Sequence, residues 1–117
     1  MTHRSNVVVV DPQPLLRHGV ASALAATRLF NVVGQGATEE DAVSLASRFT
    51  PELIVMDIGP SDSGLEFVEQ VVAASPATRT MLLTYNDDRE RVENAFHVGV
   101  SGYLLKNVEV SELCQAA

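Results

Sequence analysis

The chain has 117 residues, 46% of them hydrophobic and 20% charged, a balance that fits one folded domain with its own core and excludes a disordered or repeat-built polymer. Fifteen acidic against eight basic residues leave a net charge of −7, which repels phosphate backbones and argues against nucleic-acid binding by this segment itself. No apolar run approaches the ~18 residues of a membrane span, "MTHRSN" opens no secretory signal, and a single cysteine, Cys114, excludes an internal disulfide, so a cytoplasmic protein with no membrane partner is expected.

The first apolar run, "NVVVV" at 6–10, reads as a buried strand and stops at Asp11. Leu16, Val20, Ala23, Leu24 and Thr27 then recur at helical spacing. Asp11-Pro12 is by itself a helix start, an aspartate cap followed by proline at the first helical position. A second run, "NVVG" at 31–34, leads to a helix whose apolar face is Ala42, Leu45, Ala46 and Phe49. Thr38 stands as its N-cap, with Glu39, Glu40 and Asp41 in the first turn where the helix dipole favours acids. The third run, "ELIVMD" at 52–57, stops at Asp57; Leu65, Val68, Val71 and Val72 form the next stripe, ended by Pro76. The fourth, "TMLLT" at 80–84, ends in Thr84 and precedes a helix with Val92, Ala95 and Phe96 on one face and Gly99 at its C-terminal end. The fifth, "GYLLK" at 102–106, ends in Lys106, the only lysine in the chain. A last helix begins near Val110 and has about two turns at ~3.6 residues each before Ala117, so a longer parent protein is expected.

Runs that are continuously apolar, rather than alternating, belong to strands covered on both faces. Five of them alternating with five helices predict a single α/β domain over 1–117, a doubly wound parallel sheet. Right-handed crossovers place every strand's C-terminal end on one edge, the edge where such sheets bind ligands. Asp11, Asp57, Thr84 and Lys106 therefore converge. Singly, each has an ordinary role: Asp11 as a cap, Asp57 as a turn former, Thr84 as a backbone-satisfying hydroxyl, Lys106 as a solvated charge. Together they match phosphoryl transfer onto a protein carboxylate. Two close acids call for a cation such as Mg²⁺, an aspartate can attack phosphorus, and lysine and threonine can hold the transferring oxygens.

At these residues the chain resembles the receiver domain of two-component response regulators. "VVVVDPQPLLRHGV", "ELIVMDIGPSDSGLE", "TMLLTY" and "VGVSGYLLK" follow in the family's order, and the first and last segments are most similar to LuxR-type DNA-binding regulators. The resemblance implies a flavodoxin-like sheet of order 2-1-3-4-5. It implies Asp57 as the phosphoacceptor, supplied by a sensor histidine kinase, and Mg²⁺ held by Asp11, Asp57 and the backbone carbonyl of Gly59. It also implies Thr84 as the switch hydroxyl, Lys106 as the charge partner of the phosphoryl group and Tyr103 as the aromatic that turns inward on activation. No enzyme activity beyond self-phosphorylation and slow autodephosphorylation is implied, and DNA contact would come through an output domain beyond residue 117. Family members often pair through the first and fifth helices, and the small-residue run "ASALAA" fits a homodimer, although alanine's helix propensity explains it equally.

Three departures gather at the site. Pro12 stands where the family has the second of two successive acids, normally the direct metal ligand, so Mg²⁺ binding is expected to be weakened or lost. "DIGPSDSG" reaches its glycine one residue early, with Asp62 an acid inside the shortened loop. Tyr85 follows the switch threonine where a small residue is usual, and its ring can narrow the path of a phosphodonor. Two readings therefore stand: a phospho-accepting receiver, and a phosphorylation-independent receiver that acts as an interaction or dimerisation module. A flavin-binding protein on the same fold is disfavoured, because the loop after the first strand carries prolines that remove N–H donors from any phosphate cradle.

Overall fold

The computed structural model describes residues 3–58, 63–86 and 88–117. Strands and helices alternate along the chain: β1 (Ser5–Val10), α1 (Pro14–Ala26), β2 (Phe30–Gly36), α2 (Glu39–Phe49), β3 (Leu53–Met56), α3 (Ser63–Ala74), β4 (Arg79–Thr84), α4 (Arg89–Val98), β5 (Gly102–Leu105) and α5 (Val110–Ala116). All strand pairs are parallel and the sheet order is β2-β1-β3-β4-β5. This is the expected doubly wound sheet.

The unbroken apolar runs are explained by two cores, one on each face. In β1, Val8 and Val10 point with Ile54, Met56 and Leu82 toward α2, α3 and α4, where Ala46, Val68, Val71 and Ala95 meet them. Val7 and Val9 point the other way, with Val55 and Met81, toward Val20 and Leu24 of α1 and Leu113 of α5. Strand alternation sends neighbours to opposite faces, so a strand buried twice is apolar at most positions, with Thr80 and Thr84 of β4 as buried hydroxyls.

β2 is longer than "NVVG". Its two glycines let α2 lie close: a Cβ at Gly34 would come within 3.2 Å of Leu45, and one at Gly36 within 2.6 Å of the Asp41 Cβ. A register shift between Val7 and Val8 bulges β2 at Val33, next to that contact. Thr38 caps α2 as expected, accepting from the Asp41 N–H at 3.1 Å while the Asp41 carboxylate accepts from the Thr38 N–H at 3.1 Å.

Two helix readings are corrected. The first helix starts at Pro14, with Gln13 as its cap residue, so the proline at the first helical position is Pro14 rather than Pro12. Asp11 does not cap it; its carboxylate instead accepts from the Gln13 N–H at 2.8 Å, a tight turn that delays the helix by two residues. In α4, Phe96 is 48% exposed while Arg91 is 7% exposed, so the buried stripe runs through Arg91 and Ala95 instead. Residues four apart share a helix face, and Phe96 falls just off it.

Candidate functional site

The sheet carries its ladder one residue past three strands. The Asp11 N–H donates to the Gly36 carbonyl at 3.0 Å, the Asp57 N–H to Val10 at 3.1 Å and the Lys106 N–H to Thr84 at 2.8 Å. Those bonds fix the backbone at the rim, so the side chains of Asp11, Asp57 and Lys106 leave the sheet from defined positions, and Thr84 is the last residue of β4 itself. The structure brings the expected residues to one edge.

Lys106 is the hub. Its side chain is 1% exposed, and Nζ lies 2.9 Å from Asp11 Oδ2 and 2.8 Å from Asp57 Oδ2. A third acceptor is Gln13 Oε1 at 3.1 Å. The Tyr85 ring covers the ammonium, with its centroid 4.8 Å from Nζ, and the Tyr85 hydroxyl donates to the same Gln13 oxygen at 3.3 Å. Burial works against the charge on Lys106, but hydrogen bonds and attraction from Asp57 and Asp11 outweigh it, and the ammonium's pKa is raised above its ordinary 10.5.

Thr84 is buried, and its hydroxyl accepts weakly from the Asn86 N–H at 3.4 Å rather than reaching Asp57. Tyr103 donates its hydroxyl to the Asn86 carbonyl, which ties β5 to the loop carrying Thr84 and Tyr85. Asp57 lines two clefts. One of about 280 Å³ is shared with Pro12, Ile58, Thr84, Tyr85, Asn86 and Arg91; another of about 320 Å³ lies beside Pro12, Thr38, Glu39 and Phe67.

Asp11 and Asp57 differ in the carboxylate oxygens they leave open. Both Asp11 oxygens are taken, one by Lys106 and one by the Gln13 N–H, and Pro12 supplies no side-chain oxygen. Asp57 Oδ1 is the exception: it is buried without a hydrogen-bond partner among the described residues. No group of three His, Cys, Asp or Glu side chains placed to hold a metal occurs among the described residues. Mg²⁺ takes near-octahedral oxygen coordination completed largely by water and phosphate, and Asp57 Oδ1 is the site oxygen left open to it among the described residues. The Gly59 carbonyl and Asp62 lie outside the described residues.

Sequence reasoning passed over Gln13 and Arg91. A glutamine held between two prolines was the available signal for the first. For the second it was an arginine four residues before the buried Ala95, on the face that packs inward.

A family model for the response regulator receiver domain matches residues 7–117. The transcriptional regulatory protein DegU of Brevibacillus brevis is 33% identical over 97% of this chain and 49% of its own length. The response regulator protein VraR of Staphylococcus saprophyticus is 36% identical over 94% of this chain and 53% of its own length. The chain thus spans about half the length of the curated relatives it matches. Among solved structures, the signal receiver domain of the response regulator NarL from Mycobacterium tuberculosis superposes with a TM-score of 0.89 at 30% identity, covering 97% of this chain and 93% of that one.

Proposed function

The chain belongs to the response regulator receiver domain family, and from that premise we propose that it is the signal-receiving part of a transcriptional regulator, with Asp57 accepting a phosphoryl group from a sensor histidine kinase. The observation that carries this reading is the Lys106–Asp57 contact of 2.8 Å at the C-terminal edge of the sheet, with Thr84 on the same cleft. An Asp57 oxygen attacks phosphorus as the P–N bond of a phosphohistidine breaks. The imidazole nitrogen keeps the electron pair, and an acyl phosphate is left on the receiver. Lys106 balances the incoming oxyanions, the role that buried fixed cations play in phosphoryl transfer.

Donation from the Thr84 hydroxyl to a phosphoryl oxygen would break its long bond to Asn86. Asn86 also receives the Tyr103 hydroxyl, so one loop couples the acceptor to the face formed by α4 and β5. The acidic surface fits an output through a DNA-binding domain elsewhere in the full protein rather than through this domain. With Pro12 in place of an acid, Mg²⁺ assistance is weak or dispensable in this proposal.

A specific observation also favours the phosphorylation-independent reading: Lys106 already has three acceptors, and Tyr85 stands over it. Incubation with acetyl phosphate, with Mg²⁺ or with EDTA, followed by intact mass, separates the two. A phosphate adduct that disappears in Asp57→Asn supports the first reading. No adduct in either arm under forcing conditions supports the second.

A further inference from the structure

The segment "DPQP" at 11–14 is built to deliver one side chain. Pro12 and Pro14 restrict the residues before them to extended backbone, and Gln13 is held at φ −90°, ψ 108°. Its N–H is fixed by Asp11 Oδ1 at 2.8 Å. Although Gln13 is the cap residue of α1, its side chain makes no capping bond; the carboxamide turns away from the helix, and its oxygen receives both Lys106 Nζ and the Tyr85 hydroxyl. The residue does at this position something the helix does not require.

An ammonium has three N–H donors. In Lys106 they are matched by Asp11 Oδ2 at 2.9 Å, Asp57 Oδ2 at 2.8 Å and Gln13 Oε1 at 3.1 Å. Gln13 is the one neutral member of the three, and its contact is the longest. Tyr85 is 68% exposed yet closes the set from outside, ring over cation and hydroxyl on the same carboxamide.

We infer that Gln13 and Tyr85 form a latch over Lys106: the Gln13 carboxamide occupies the third N–H of the ammonium, the donor held by a neutral acceptor at the longest distance and so readily given up to an oxyanion arriving at Asp57. Gln13 is thus a positioning residue acting through Lys106, and Tyr85 sets how readily it lets go. The exchange swaps a neutral acceptor for a charged one, which favours release once the oxyanion is present. Its last step rests on the phosphoacceptor reading; the closed latch does not.

Lys106 is the only lysine, and peptide mapping separates its acylation from that of the N-terminal amine and of the two tyrosines, whose O-acetyl groups hydroxylamine removes. Limiting acetic anhydride at fixed pH is expected to acetylate Lys106 roughly tenfold faster in Gln13→Ala and Tyr85→Ala than in the parent, about 1.4 kcal/mol of lost protection. Tyr85→Phe keeps the ring, removes one hydroxyl from an exposed position and should fall between them. Gln13→Glu keeps an acceptor and should restore protection. His18→Ala, exposed on α1, should match the parent. Gln13→Ala labelling at the parent rate overturns the latch, as does equal acceleration in His18→Ala, which would report general loosening. Intact mass after acetyl phosphate on the same samples tests Asp57 separately. Absence of adduct there, with the labelling pattern intact, removes the phosphoacceptor reading and leaves the latch standing.

Discussion

Lys106 and Asp57 meet at 2.8 Å between the ends of β5 and β3, and their side chains are 1% and 14% exposed. Asp11 completes the pair from the end of β1, so one ammonium holds two carboxylates that would otherwise repel. Removing one partner of a buried ion pair leaves charge uncompensated, a loss of about 3–5 kcal/mol. Lys106→Met is therefore expected to lower stability by that amount in urea denaturation. Most of the loss should vanish when Lys106→Met is combined with Asp11→Asn and Asp57→Asn, because the charges are then gone together. A loss that persists in the combined variant would place the effect in packing rather than in charge.

The same contact predicts a contribution to the alkaline limb. Burial opposes the charge on Lys106 and the two carboxylates more than offset it, so its folded pKa lies above 10.5. A raised pKa contributes stability that is complete below the unfolded value and is lost as pH rises through the folded one. Denaturation midpoints taken from neutral pH to above 10.5 should fall at the alkaline end in the parent and run flatter in Lys106→Met. On the acid side, backbone N–H groups of Ala37 and Thr38 hold the Asp41 carboxyl below its ordinary 3.8. That contribution is present above 3.8 and disappears as pH falls through the lower folded value, so Asp41→Asn should flatten the acid limb.

The strand ends were legible because β1, β3 and β4 are buried on both faces and β5 is half-buried, so Asp11, Asp57, Thr84 and Lys106 stand at the ends of their apolar runs. What they do there was less legible. "DPQP" offers two helix starts in two frames, each a polar residue before a proline. The turn at Asp11 selects the second, which frees Gln13 to reach Lys106. Phe96 reads as core by its chemistry, yet the helix phase buries Arg91 and Ala95, a tertiary choice that hydropathy does not report.

The coupling proposed between Asp57 and the face of α4 and β5 is open to fluorescence. The chain has two tyrosines and no tryptophan, so Tyr85→Phe leaves Tyr103 as the sole emitter. Its hydroxyl is tied to the Asn86 carbonyl in the resting structure. Acetyl phosphate should change Tyr103 emission in Tyr85→Phe and leave it unchanged when Asp57→Asn is added. Thr84→Ala should form the adduct with little change in emission. A Thr84→Ala signal equal to that of the parent would detach the loop from the switch.

Arg91 puts a second positive side chain on the cleft that holds Asp57. It is 7% exposed and lines the cleft of about 280 Å³ with Asp57 and Thr84. An acid at position 12 would add a negative charge to this cleft, and Pro12 adds none. A cation placed beside developing phosphoryl charge lowers the barrier, and ~1.4 kcal/mol corresponds to roughly tenfold in rate. Arg91→Met, which keeps bulk and removes charge, is expected to slow adduct formation on Asp57 by about that factor, with Arg91→Lys in between. EDTA should slow the parent far less than Arg91→Met does. A parent rate that collapses in EDTA, with Arg91→Met indistinguishable from it, would put the missing charge on a metal instead.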